Sequence, residues 1–194
     1  MRGCRPYSAG EFSIVESSFA GRFSVRNRAL FVFGSFTGFR IGEIRSLRVG
    51  DVYQFERVVD SVSVRRSAMK GKIASRTVIL HSAVKCALKL WLDEMKAKGW
   101  LTSDVYLFKS QMGRNRPITN SQAARILKRN FRAHRMLGKL SCHSMRKFFA
   151  ESVFQRLGGD LVKLQQALGH SCISSTVHYL SFKQDDINQA ILSI

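Results

Sequence analysis

The sequence contains the stretch LGHSCISSTVHYL at residues 168–180. Leu168 closes an apolar segment with helical spacing, and Gly169 follows it, which is typical of a helix C-terminus. His170 comes next, and Tyr179 lies nine residues after it, late in a second helical segment. By themselves, a histidine beside a helix end and a half-buried tyrosine are ordinary structural residues. The stretch therefore indicates a function only together with other parts of the chain.

Three further groups of polar residues precede this stretch. They are Thr37-Gly38-Phe39-Arg40 followed by Glu43, then Lys70-Gly71-Lys72, and finally His143-Ser144-Met145-Arg146. The sequence has no Walker loop, no GxGxxG after a strand, no HExxH and no paired carboxylates suited to two magnesium ions. A nucleotide-driven or metal-dependent mechanism lacks its residues, so we expect no cofactor and no metal.

These four groups, in this order, resemble the signature boxes of the tyrosine recombinases, also called phage-type integrases. The resemblance runs from a helix beginning at Ser8 to Tyr179 and implies an α+β, mainly helical catalytic domain with a small antiparallel β-sheet. It implies a site-specific DNA recombinase or integrase in which Tyr179 attacks a DNA phosphate and forms a 3′-phosphotyrosyl link. Relaxation of supercoils by a type IB topoisomerase, and DNA binding without catalysis, are the alternatives.

The predicted site is a set of cations and proton carriers around one phosphate. Arg40 and Arg146 suit a phosphate clamp, because a guanidinium binds two oxygens in one plane and keeps its charge. His143 precedes Arg146 by three residues on one edge of a predicted helix, where it can take the tyrosine proton as general base. The resemblance implies that His170 donates a hydrogen bond to the scissile phosphate.

The remaining proton carrier is a lysine in a predicted hairpin turn. By resemblance it protonates the leaving 5′-oxygen as general acid, and Lys70 is preferred over Lys72. The spacing to Arg76, near which the next strand is expected to begin, is one residue longer than the family pattern. Glu43 is implied to be structural, in a buried ion pair with a nearby arginine. A simple ion pair with Glu43, one turn away, is the competing explanation for Arg40.

The composition indicates a polyanionic partner. The 194 residues include 32 Lys and Arg against 13 Asp and Glu, which gives a net charge of +19. Double-stranded DNA is favoured over a membrane surface, because the sequence has neither a long apolar span nor a basic helix with a clean apolar face. The first residues lack the apolar core of a signal peptide, so we expect a cytoplasmic, DNA-associated protein.

The pattern of apolar residues predicts helices joined by one β-hairpin. Helices are expected at about 8–20, 27–36, 82–98, 121–134, 144–157, 161–168 and 174–181, with a short one from 41 that carries Ile44 and Leu47 inward. A turn is expected at 49–51, strands at 58–64 and 77–80, and the hairpin turn at 69–73. The long helix at 82–98 is expected to bury Val84, Leu88, the run from Leu90 to Leu92, and Met95.

The chain shows no linker, so one catalytic domain over residues 1–194 is expected, without the N-terminal core-binding domain that most relatives carry. It is then either a naturally short member or a fragment of a longer integrase. Family members act as tetramers on DNA. The 15 residues after Tyr179 include a helical stripe of Ile187, Ile191 and Ile194, which either docks on a neighbouring protomer or closes the chain's own core.

Overall fold

The structure, a computed structural model, describes residues 3–64, 76–180, 188 and 191–193. It is mainly helical with small antiparallel strand pairs, which confirms the predicted fold class. The chain forms two compact units, Met1–Phe149 and Ala150–Ile194. None of the helices in the described ranges is long and apolar enough to cross a membrane.

The named elements are these, in chain order: α1 (Ala9–Ser17), α2 (Ser24–Thr37), α3 (Ile41–Ser46), α4 (Val49–Val52), β1 (Tyr53–Gln54), β2 (Arg57–Val58), β3 (Ser61–Val64), β4 (Arg76–Ile79), α5 (Ser82–Ala97), α6 (Asn120–Ala133), α7 (Cys142–Arg156), α8 (Leu161–Leu168) and α9 (Ile173–Val177). All the longer helices predicted from the sequence are present. The boundary between the two compact units falls within α7.

Helix α1 begins with the expected capping box. The Glu11 N–H donates to Ser8 Oγ at 3.1 Å, and the Ser8 N–H donates to Glu11 Oε2 at 2.8 Å, so each residue satisfies a free donor of the other. The helix ends at Ser17, earlier than the predicted Ala20, because the Ser18 N–H already bonds back to Val15. Local capping therefore decides where this helix starts and stops.

The core of the first unit lies mainly between α2 and α5. Phe31 on α2 and Leu88, Trp91 and Met95 on α5 are all almost completely buried. The prediction that Leu90 belongs to this apolar face is wrong, because its side chain is 49% exposed. Positions two apart on a helix point to different sides, so Leu90 cannot face the same neighbours as Leu88 and Leu92.

The predicted β-hairpin is confirmed as β3 paired with β4 in antiparallel register. The predicted strand at 58–64 is interrupted at Val59 and Asp60, and its first part, β2, pairs instead with β1, a strand that the sequence did not indicate. The predicted turn at 49–51 is wrong. These residues belong to the short helix α4, in which Asp51 Oδ2 accepts a hydrogen bond from the Arg48 N–H at 2.8 Å. The hairpin turn at 69–73 lies outside the described residues.

Two glycines let the start of α7 approach α2 closely. A Cβ on Gly34 would lie 2.7 Å from the Met145 sulfur, and one on Gly38 would lie 2.3 Å from Phe149 Cδ1. Gly38 also ends α2 in the left-handed conformation, with φ at 61°, as glycine does readily. This close approach positions the C-terminal end of α2 against the polar residues of α7.

In the second unit, α8 ends at Leu168, as predicted, and Gly169 adopts the left-handed conformation. The predicted helix at 174–181 is wrong in its extent, because α9 ends at Val177. Its last turn tightens into i to i−3 hydrogen bonds, with the Tyr179 N–H donating to the Thr176 carbonyl at 2.9 Å. Tyr179 therefore lies in the turn after α9. Of the predicted tail stripe, Ile191 is described and exposed, whereas Ile187 and Ile194 lie outside the described residues.

Candidate active site

Arg40 and Glu43 form a compact pair at the start of α3. The Arg40 N–H donates to Glu43 Oε2 at 2.7 Å, and Arg40 Nη1 donates to Glu43 Oε1 at 2.9 Å. The Glu43 side chain is 2% exposed and that of Arg40 is 27% exposed. The buried ion pair expected for Glu43 is present, and its partner is Arg40. The same pair is also the competing explanation for Arg40, so its contact with a phosphate stays a prediction.

Arg146 lies on α7 and reaches the end of α2. Its side chain is almost completely buried, and Nη1 donates to the Gly38 carbonyl at 2.5 Å. Gly38 precedes Arg40 by two residues. Arg146 is therefore hydrogen-bonded directly to the segment that carries Arg40, the other predicted clamp arginine. Residues far apart in the sequence are thereby brought to one place.

His143 lies one turn before Arg146 on α7 and is more exposed. Partial burial lowers the pKa of His143 below its ordinary value, and the positive charges of Arg146, Arg40 and Lys147 lower it further. In most molecules the His143 imidazole is therefore neutral at pH 7 and able to accept a proton. This protonation state suits the general base that the sequence predicts.

Arg76 is a buried charge that was not among the predicted site residues. It begins β4, as expected, pairs with the buried Val64 in the hairpin and is only 6% exposed. Its Nη2 donates to the Thr37 carbonyl at 2.7 Å. The alternation of inward and outward residues along the strand could have indicated that Arg76 is buried, because it occupies an inward position where an apolar residue is usual. Lys70 and Lys72 lie outside the described residues.

The second unit holds the two remaining predicted residues close together. The rings of His170 and Tyr179 have centroids 5.0 Å apart. His170 is 9% exposed, and its Nδ1 lies 3.0 Å from the Thr176 hydroxyl. The His170 carbonyl also accepts a hydrogen bond from Gln165 Nε2 at 3.0 Å. The tight turn after α8 and the short α9 thus fix the histidine beside the tyrosine.

This fold is that of the catalytic domains of tyrosine recombinases. The crystal structure of XerA recombinase superposes with a TM-score of 0.76 at 25% identity, covering 99% of this chain and 64% of that one. A post-cleavage complex of the XerH site-specific recombinase bound to palindromic difH substrate gives a TM-score of 0.77 over 98% of this chain and 53% of that one. At 22% identity, the second similarity establishes the fold alone.

The model of the phage integrase family matches residues 13–185, and the chain belongs to that family. It is 32% identical over 165 residues to the probable integrase/recombinase YoeC of Bacillus subtilis, covering 85% of this chain and 82% of that protein. It is also 29% identical over 168 residues to tyrosine recombinase XerC of Bacillus pumilus, covering 87% of this chain but 53% of XerC. The predicted resemblance to tyrosine recombinases is confirmed, and the chain spans about half the length of the XerC relative.

Proposed function

We propose that this chain is a site-specific DNA recombinase that cuts and rejoins DNA through a 3′-phosphotyrosyl intermediate. The observation that carries the proposal is the hydrogen bond from Arg146 to the Gly38 carbonyl, two residues before Arg40. It supports the convergence of two guanidiniums on one phosphate. Membership of the phage integrase family supports the same activity.

In the proposed reaction the Tyr179 oxygen attacks the phosphorus and the bond to the 5′-oxygen breaks. His143 takes the tyrosine proton, and Lys70, or failing it Lys72, protonates the leaving 5′-oxygen. A 5′-hydroxyl from a partner strand then attacks the phosphotyrosine and releases Tyr179. Because each step exchanges one phosphodiester for another of similar energy, the reaction needs no nucleotide.

The cations stabilise the charge that develops on the pentacoordinate phosphorus. Arg40 and Arg146 bind its non-bridging oxygens, and the burial of Arg146 strengthens its attraction because little water screens it. The ion pair with Glu43 holds Arg40 in one orientation. The Thr176 hydroxyl orients the ring from which His170 donates to the same phosphate. We propose that residues 1–194 act as a single catalytic domain.

A basic stripe on α6 is the proposed contact surface for double-stranded DNA. Four exposed cations repeat at helical spacing along one side, namely Arg125, Lys128, Arg129 and Arg132. The opposite side of the helix is buried through Leu127 and Phe131. The net charge of +19 supports the same partner, and binding is expected to weaken steeply as salt increases.

We also propose that the chain works as a homotetramer on DNA in the cytoplasm, with its C-terminal tail exchanged between protomers. The tail carries apolar side chains that suit a protein contact, since Ile191 is 61% exposed and Leu192 is 86% exposed. Crosslinking on DNA tests this assembly, and a variant with Ile191→Asp and Leu192→Asp is expected to bind DNA as a monomer. Tetramers that persist in this variant would exclude an essential tail contact.

The activity is tested by capturing covalent adducts on a pool of nicked duplexes with a randomised central segment. The wild-type chain is expected to give a denaturation-resistant adduct, whose sequenced DNA identifies the target. Tyr179→Phe should give none, whereas Tyr53→Phe, on β1, serves as the matched control and should react normally. Binding without any adduct would contradict the enzyme proposal, and relaxation without strand exchange would indicate a topoisomerase.

The same substrate assigns the general acid when the bridging 5′-oxygen is replaced by sulfur. A thiolate leaves without protonation, so the altered substrate should restore cleavage in whichever lysine variant has lost the acid. We expect rescue of Lys70→Ala. Rescue of Lys72→Ala instead would identify Lys72 as the general acid.

A further inference from the structure

Arg76 is a buried arginine whose hydrogen bonds, within the described part of the chain, go to main-chain carbonyls. Nη2 donates to the Thr37 carbonyl at 2.7 Å, and Nη1 lies 3.4 Å from the Gly38 carbonyl. Burying a charge is unfavourable unless it is compensated, so an arginine kept at 6% exposure requires an explanation. The carbonyls that it contacts supply part of that explanation.

Those carbonyls lie at the C-terminal end of α2. The last carbonyls of a helix have no partner within the helix and carry its partial negative charge. Arg76 therefore closes the end of α2 from a neighbouring strand. The Gly38 carbonyl also accepts the bond from Arg146, so guanidiniums from β4 and α7 meet at one oxygen.

The guanidinium of Arg76 is also held by aromatic rings. It lies over the Phe39 ring at 4.9 Å from the centroid and over the Phe149 ring at 5.8 Å. Phe39 directly precedes Arg40. One side chain thus contacts three consecutive residues, 37 to 39, that lead into the first predicted clamp arginine.

Several charged neighbours shift the pKa of Arg76. Burial and then the charge of Arg146 lower the pKa of Arg76 to about 9, with Arg40 acting in the same direction and Glu43 opposing it. The group remains charged at neutral pH. Two of the charged groups that shift this pKa are guanidiniums, those of Arg146 and Arg40, and an anion bound between them and Arg76 would relieve their mutual repulsion.

We infer that Arg76 is a positioning residue for the phosphate site: its bonds to the Thr37 and Gly38 carbonyls and its stacking on Phe39 hold Arg40 and Arg146 in their working arrangement. This inference rests on the proposed function, because it assumes that those two arginines bind the scissile phosphate. Arg76 itself also adds positive charge to the site. The planar, two-pronged shape of a guanidinium is required to hold both carbonyls. Adding positive charge to the site requires only a cation at this position.

The test compares Arg76→Gln and Arg76→Lys with a matched buried arginine outside the site. Arg26 is 2% exposed, donates to the Lys109 carbonyl at 3.1 Å and lies over the Phe23 ring at 4.7 Å. Arg26→Gln therefore reports the general effect of losing a buried arginine. Each variant is assayed for single-turnover adduct formation at saturating protein, for DNA affinity, and for binding of tungstate, a phosphate analogue, in a Tyr179→Phe background.

Arg76→Gln is expected to slow adduct formation by about 10- to 100-fold and to weaken tungstate binding about ten-fold, while DNA affinity changes little. Arg76→Lys should bind tungstate almost normally but react slowly, because the charge is kept and the two-carbonyl geometry is lost. Arg26→Gln should leave the rate per folded molecule nearly unchanged. Equal loss in the Arg26 and Arg76 variants, or full activity in Arg76→Lys, would overturn the inference.

Tungstate binding separates this inference from the proposed function. If the wild-type chain forms no adduct, the recombinase proposal fails, and the anion site is judged by tungstate alone. Loss of tungstate binding in Arg76→Gln but not in Arg26→Gln then supports the anion site that Arg76 organises. Unchanged tungstate affinity in Arg76→Gln overturns it.

Discussion

Replacing Gly38 by alanine tests the junction between α2 and α7 most directly. Gly38 is left-handed, with φ at 61°, and the new Cβ would lie 2.3 Å from Phe149 Cδ1. Gly21 provides a matched control, because it is also left-handed, with φ at 84°, and its Cβ would meet nothing within 4 Å. The two substitutions share a backbone penalty, and only the first adds a clash.

The expected size of each effect follows from these two terms. An L-residue in the left-handed region costs about 1–2 kcal/mol, which is the whole effect expected for Gly21→Ala. Carbon atoms normally pack about 3.5–4.0 Å apart, so Gly38→Ala must displace the Phe149 ring by more than an ångström. Overpacking of this kind costs about 1–3 kcal/mol more. We therefore expect Gly38→Ala to lower the free energy of unfolding by about 2–5 kcal/mol in total.

Urea unfolding followed by circular dichroism measures both losses. Adding Phe149→Ala should recover much of the clash in the Gly38 variant, so the double variant should be more stable than the two single losses predict. The same second substitution should not rescue Gly21→Ala. Equal losses for Gly38→Ala and Gly21→Ala, or strict additivity with Phe149→Ala, would refute the packing on which this reasoning rests.

Three further outcomes are expected. Trp91→Phe should cost about 1–2 kcal/mol in urea unfolding, because the buried indole N–H that donates to the Leu107 carbonyl at 2.7 Å is lost; an unchanged midpoint would contradict this. Lys147→Gln removes a positive charge that lowers the pKa of His143, so NMR titration should find that pKa raised. The pH at which His143 becomes protonated, and adduct formation falls, should then move upward; an unshifted profile would argue against His143 as the base. Arg129→Glu on α6 should weaken DNA binding and reduce its salt dependence by about one ion in anisotropy titrations, and an unchanged slope would exclude it from the interface.

The features of the fold that the sequence predicted correctly are mainly short-range. The capping of α1 by Ser8 and Glu11, and the glycine that ends α8, each involve residues within about one helical turn. The hairpin followed from β-branched alternation on two neighbouring segments. The predictions that failed, such as Leu90 in the core, depended on which side of an element meets the rest of the chain. A helix that packs on one side leaves its other apolar positions in solvent.

By itself, the sequence determined the order and identity of the polar boxes, from Arg40 to Tyr179, and hence the family of the chain. Only the tertiary structure decided how the boxes of the first unit meet. The bond from Arg146 to Gly38 joins residues 108 apart, and that from Arg76 to Thr37 joins residues 39 apart. No local pattern reveals the partners in these contacts, because the contacts arise where helix α7 and strand β4 pack onto the end of α2. The burial of Arg76, and its hold on the segment before Arg40, are therefore properties of the fold.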